Sequence, residues 1–381
     1  MIDLFRTLGE SVEASWRRQN YREASFAQIA HDALVASALH ERMSWRDLLA
    51  WCVRTPLLDT DNRVFGDVPL RLYEGPRFYV EALVWNDGQI AIHDHAFGGA
   101  FTVLSGTSLH MSYGFAVADM LNEGFGVGEL TLQKAEQLET GNVRVIEPGR
   151  SFVHAVYHMD TPTVSLVVRS KIDTRALPQL AYLNPGIAFD RSAVQRDAID
   201  KPLAALRVAA NVDRQLFLTL ARDTIIERDA HLAFEVVSRA ARGPLLDAPE
   251  LVAELVETCT TNHPALKPVL ATAIATQLRS MDLLTRRSKA KAREVRLLFA
   301  LLLNVPRRAE LLAMAGTQTN DDPIETVLNW LRIASASRSL PTELGTRQLA
   351  FVRDHLAGRP VGDSDILDEH SRRVLEPLLV A

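Results

Sequence analysis

The stretch IHDHAFGGAFTVLSGTSLHMSY, residues 92–113, decides how the chain is read. Residues two apart on a strand face the same side of a sheet, so His93 and His95 present both imidazoles to one side while Asp94 points to the other. Two imidazoles on one face begin a metal site, and Asp94 reads as structural. The surroundings favour strands. Residues 78–86 (FYVEALVWN) read as a β-strand ending at the turn Asn86-Asp87-Gly88, and 99–113 as a hairpin broken at Ser105-Gly106, because β-branched and aromatic residues are punctuated by glycine. A second strand pair is expected at 142–147 and 163–170, with Pro148-Gly149 and His154 between them. Short strands separated by glycine turns point to an antiparallel sandwich or barrel.

Together, His93-Asp94-His95, Gly106, and Pro148-Gly149 followed by His154 resemble the two-part metal motif of the cupin superfamily, over roughly residues 65–175. That resemblance implies a cupin-type antiparallel β-barrel with a metal on His93, His95 and His154. Many cupins add a glutamate four or five residues after the second histidine; Gly99 and Ala100 stand there. The site therefore resembles the three-histidine cupins. The phrases IHDH, VHAV (153–156) and TPTVSL (161–166) most resemble the cysteine dioxygenase (thiol dioxygenase) group. The group implies iron(II), with open positions for substrate and dioxygen. Ligand chemistry alone would also admit zinc, nickel, copper or manganese.

His158, four residues beyond His154, falls where many cupins have an asparagine; it is either a residue outside the ligand set or the competing third ligand. His110 either projects into the metal cavity or faces solvent, and Tyr113 and Val167 are counted with it among candidates beside the site. In the thiol dioxygenases a serine, a histidine and a tyrosine alternate on the strand after the third ligand. Here Ser165 keeps the serine, while Val167 and Arg169 take the other two places. Ala100 stands where some members carry the cysteine of a cross-link. The family's carboxylate-binding arginine is matched by Arg71 or, alternatively, Arg77. Arg169 either brings a guanidinium suited to bidentate carboxylate or phosphate binding beside the metal, or ends its strand in water.

Three functions follow. The favoured one is a non-haem iron(II) oxygenase acting on dioxygen beside a chelating substrate, small or carrier- or peptide-bound and amino-acid-like, in a biosynthetic role. The second is a metal-dependent isomerase or hydrolase without oxygen chemistry. The third is a ligand-binding or regulatory protein, which a fourth ligand from His110 or His158 closing a structural zinc site would favour.

The remaining sequence sets bounds. With 381 residues, 47% hydrophobic, the chain should hold two domains, or one large one with additions, with sizeable cores. A net charge of −5 gives no hint of nucleic-acid binding. Cys52 and Cys259 alone make a disulfide framework unexpected, which suits a cytoplasmic protein. No signal peptide or membrane span is expected. The fold expected is α+β. Residues 1–62 are helical and pack on the barrel, with Ala24–Leu39 and Ser44–Arg54 as helices, Ser44 to Asp47 as a capping box and 59–62 as a loop. Residues 63–177 form the barrel, 178–190 a linker, and 191–381 an all-α domain of five or more helices, broken at Gly243-Pro244, His263-Pro264, Asn304-Val305-Pro306, Asp321-Asp322-Pro323 and Gly358-Arg359-Pro360. Its basic run, Arg286 to Arg293, reads as a solvated helix face and Val295–Val305 as core. A homodimer through this domain is a further expectation.

Overall fold

The computed structural model describes residues 2–55, 66–86, 88, 91–171, 178–190, 196–319, 321–359 and 366–380. The loop expected at 59–62, the centre of the turn at Asp87 and the break at Pro360 lie outside them. The protein is a mixed helix-and-strand fold with N-terminal helices, an antiparallel barrel and C-terminal helices. It forms two compact units: residues 1–113 with 133–177, and 114–132 with 178–381.

The first unit opens with α1 (Ile2–Arg18), α2 (Phe26–Ser37), α3 (Leu39–Arg42) and α4 (Trp45–Arg54). The expected capping box is present at α4: the Ser44 hydroxyl accepts from the Asp47 N–H, and the Asp47 carboxylate accepts from the Ser44 N–H at 2.9 Å. The strands are β1 (Val68–Glu74), β2 (Phe78–Trp85), β3 (His93–His95), β4 (Gly99–Ser105), β5 (Ser108–Asn122), β6 (Phe125–Leu138), β7 (Val143–Ile146), β8 (Gly149–His158), β9 (Thr163–Ser170), β10 (Leu180–Leu183) and β11 (Ile187–Asp190). One sheet runs β1-β2-β9-β4-β7; the other closes in the order β10-β11-β6-β5-β8-β3.

Alternation makes the first sheet two-faced. Val80, Ala82 and Val84 of β2 and Val164, Leu166 and Val168 of β9 pack into one core with Phe5, Phe26 and Leu34 of the N-terminal helices. Their neighbours Glu81, Leu83 and Trp85, and Ser165, Val167 and Arg169, turn to the opposite face and line a cavity. Burial on both faces explains why β2 and β9 read as near-continuous apolar runs.

Several pairings differ from expectation. β4 and β5 are consecutive but not a hairpin: β4 pairs with β7 and β9, whereas β5 pairs with β8. Likewise β7 and β9 are not a pair, because β4 lies between them. Propensity marks strands but not partners, which non-local packing chooses. Residues 178–190 are no linker. They form the antiparallel pair β10 and β11, with Leu180, Tyr182 and Ile187 buried, and their Asn-Pro-Gly turn is what reads as linker composition. Residues 114–132, in β5 and β6, group with the C-terminal unit rather than with the rest of residues 63–177, since Phe125, Val127 and Ile187 share a core with Leu206, Phe217 and Phe234.

The second unit continues as α5 (Arg196–Val212), α6 (Arg214–Glu227), α7 (Ala230–Ala241), α8 (Pro249–Asn262), α9 (Leu270–Lys289), α10 (Arg293–Asn304), α11 (Arg308–Gly316), α12 (Pro323–Ala336), α13 (Thr346–Leu356) and α14 (Glu369–Leu379). The first four expected breaks fall between helices. Asp213, Asp229, Asp322 and Asp368 cap α6, α7, α12 and α14 by accepting backbone N–H bonds. Val295, Leu298 and Val305 are buried as expected. The basic run is not wholly a solvated face: Arg287 is 1% exposed, its guanidinium pushed down to about 9 by burial, and Arg286 pairs with Asp282. Both cysteines are free. Among the described residues no helix is long and apolar enough to cross a membrane.

Candidate metal centre

His93, His95 and His154 converge, all buried, with one ring nitrogen from each lying within 4.8 Å of the others. Strand pairing puts them there. His93 of β3 stands opposite His154 of β8, and the register then slips so that His95 stands opposite Gly149. Such a slip is a bulge or other break in the ladder, of the kind that re-aims side chains. Gly149 holds φ +87°, a left-handed conformation that costs little only for glycine, so glycine at this position is a requirement of the turn into β8.

The donor set fits a metal. Imidazole nitrogens about 2.0–2.1 Å from one ion stand about 3 Å apart when at right angles, and the Nε2 atoms of His95 and His154 are 2.8 Å apart. His93 Nδ1 donates to the Ala91 carbonyl at 2.7 Å, which leaves Nε2 as the donor of its lone pair. Burial first, then His93 and Arg169, pushes His95 well below the ordinary imidazole value; burial and the surrounding histidines do the same to His154. Both are thus neutral at neutral pH, the form that ligates.

Behind His154 lies a chain of hydrogen bonds. His154 Nδ1 is 3.0 Å from His110 Nε2, and His110 Nδ1 is 3.1 Å from Glu136 Oε1. Arg144 bonds both carboxylate oxygens of Glu136, at 2.9 and 2.8 Å, and Lys134 bonds Oε2 at 2.8 Å. Arg144 first, then His110, holds the Glu136 carboxyl far below the usual carboxylate range.

The cavity over the histidines measures about 60 Å³. Its walls are mostly apolar, with Leu83, Trp85, Phe97, Phe101, Val156 and Val167. Arg169 is on the wall rather than in water: its guanidinium lies 3.6 Å above the Phe97 ring, whose centroid is 4.6 Å from that of His95. Ser165, Val167 and His158 also line it. His158 stacks on Trp85 at 4.6 Å, bonds to the Ser108 hydroxyl at 3.1 Å and is outside the cluster of three; burial pushes it down to about 3. His110 turns to His154 rather than to solvent.

Other expectations are corrected. Tyr113 is off by one in the alternation: it is buried on the β5 face opposite His110, beside Val153, and does not border the cavity. Arg71 is not on the cavity wall; it pairs with Glu74 and, at 3.8 Å, with Glu81, which is on the wall. Arg77 is exposed over the Tyr21 ring. Asp94 is 2% exposed and, as expected, not in the cavity. Ala100 faces the helical core, not the site.

Sequence reasoning missed Glu136 and Glu81. Glu136 lies in QKAEQL, residues 133–138, which has helical rather than strand composition; only its pairing within the long β6 brings it to His110. Glu81 carried a signal, being a lone acid in an otherwise apolar strand. Gly99 has no room for a side chain, since a Cβ would stand 2.1 Å from the Val168 carbonyl oxygen. Gly99→Ala is expected to force β4 from β9 and destabilise the protein by about 1–3 kcal/mol or more, read as a lowered denaturation midpoint; an unchanged midpoint would mean the strands part freely.

No protein-family model matches the chain, and no curated protein matches it. The solved structures it is similar to include cupin and double-stranded β-helix proteins. A cupin-2 domain protein from Shewanella frigidimarina is 15% identical, over 34% of this chain and 94% of that one, at a TM-score of 0.21. A hydroquinone 1,2-dioxygenase from a Sphingomonas species is 11% identical, over 29% and 69%, at 0.24. A double-stranded β-helix protein from Klebsiella pneumoniae is 18% identical, over 36% and 99%, at 0.20. Likenesses of this size say nothing of activity, and the reading of the site rests on its own geometry. Fold and site define a β-barrel protein with a three-histidine centre suited to a divalent metal.

Proposed function

We propose that the protein is a non-haem iron(II) oxygenase whose metal is held by His93, His95 and His154. The observation that carries this is the convergence of three buried imidazoles on a cavity, His95 and His154 held neutral by burial, while the two nearby histidines are engaged elsewhere, His110 with Glu136 and His158 with Ser108. Three ligands leave positions open, unlike a closed structural zinc site. When bound, iron supplies the electron chemistry that dioxygen requires. The chain's own residues do the rest. Arg169 binds and orients the anionic end of a small chelating head group, free or at the end of a carrier- or peptide-bound amino acid. Phe97, Phe101 and Trp85 keep water from the reacting atoms.

The test is elemental analysis of anaerobically purified protein, followed by oxygen uptake after iron(II) reconstitution with a panel of small thiol, amino and hydroxy carboxylates. About one iron per chain with stimulated uptake is expected; tight zinc and no uptake would overturn the reading. For the best substrate, Arg169→Leu is expected to raise KM about 10- to 100-fold, the worth of a lost charge-assisted hydrogen bond, and Arg169→Lys to recover part of it. Equal KM values would remove Arg169 from substrate binding. A second reading has its own observation: the Glu81 carboxylate on the wall suits a general base, as in a metal-dependent isomerase or hydrolase, and turnover without oxygen would favour it.

A further inference from the structure

We infer that His110 and Glu136 are positioning residues for the metal centre: an ionised carboxylate, acting through one buried histidine, fixes the ring and tautomer of His154 and strengthens it as a ligand. The inference rests on the metal reading above.

The proton positions follow in sequence. Ligation through His154 Nε2, the nitrogen that faces His95, requires the proton on Nδ1. That N–H donates to the atom 3.0 Å away, His110 Nε2, which must then be the bare nitrogen of its ring. His110 therefore carries its proton on Nδ1 and donates it to Glu136 Oε1 at 3.1 Å. No other tautomer of His110 satisfies both neighbours. The chain ends on an anion held in place by Arg144 and Lys134.

Packing fixes the geometry as well as the protons. The His110 side chain is 5% exposed, and its ring lies between Phe101, edge-on at 5.8 Å, and Phe152, stacked at 6.5 Å. Phe152 also packs on His154, at 4.7 Å. A surface ion pair needs no such intermediary, whereas a low-dielectric chain of donors and acceptors polarised by one charge reaches the ligand itself.

The experiment is a cobalt(II) titration of metal-free protein, following affinity and the ligand-field absorption bands, with thermal denaturation of each metal-free variant alongside. Glu136→Ala and His110→Phe are expected to weaken cobalt binding about 10- to 100-fold and to shift the bands. Glu136→Gln, which keeps an acceptor oxygen but not the charge, is expected to lose less and serves if the harsher variants fail to fold. Unchanged affinity and bands, with only a lowered melting temperature of the metal-free variants, would make the pair structural and overturn the inference. Failure of the wild-type protein to bind cobalt would overturn the metal reading and the inference with it.

Discussion

His154→Ala is expected to strip the metal from the protein and abolish any stabilisation that metal gives. His154 is the sole member of the cluster on β8; the other two sit on the three-residue β3. Removing it leaves two imidazoles and also leaves the buried His110 Nε2 without its donor. Losing an outer partner of a ligand costs about 10- to 100-fold in affinity, so losing the ligand is expected to cost more than about 100-fold. At metal a hundredfold above Kd, binding stabilises the native state by about 2.7 kcal/mol. Thermal denaturation with and without chelator should show a difference in the wild type and none in the variant, with elemental analysis agreeing. Retained metal would take His154 out of the ligand set and bring His158 forward.

The metal-free protein is expected to lose stability as pH falls from about 6.5, well before carboxylates titrate. His158 has a folded value of about 3 against about 6.5 when unfolded. Between those values the unfolded chain binds a proton that the native state refuses, so stability falls by about 1.4 kcal/mol per pH unit, or about 2 kcal/mol from pH 6.5 to 5. His95, His154 and His231 are depressed in the same direction, chiefly by burial, and add to the slope. Glu136 and Asp282 are depressed carboxylates whose losses begin only as pH falls into the ordinary carboxylate range and continue below it. Urea denaturation midpoints at pH 7, 6 and 5 check this, and His158→Gln should remove one proton's share of the slope. A flat profile across that window would show that these histidines are not buried as neutral groups.

Elements with local causes were legible in the sequence. The Ser44–Asp47 capping box, the break at Asp321-Asp322-Pro323 and the core of α10 each depend on residues a few positions apart. Strand partners were not. Ser105-Gly106 reads as a hairpin turn, yet β4 and β5 go to different sheets, because sheet pairing is settled by which faces can be buried together. The turn at Asn184-Pro185-Gly186 reads as linker for the same reason: composition reports the bend and not the buried strands on either side.

At the site, the sequence singled out His93, His95 and His154 as candidate ligands, with His158 left as the competitor for the third place. A period of two sends His93 and His95 to one face, and Pro148-Gly149 sets up the strand that carries His154. It also placed Ser165, Val167 and Arg169 on one face of β9, though not whether that face met water or a cavity. Only the tertiary structure decided that Arg169 lies over Phe97 beside His95, that Arg71 stands behind Glu81, and that His110 bridges His154 to Glu136. Alternation along a strand is written in the local backbone. The partner 26 or 44 residues away is written only in how the strands pack.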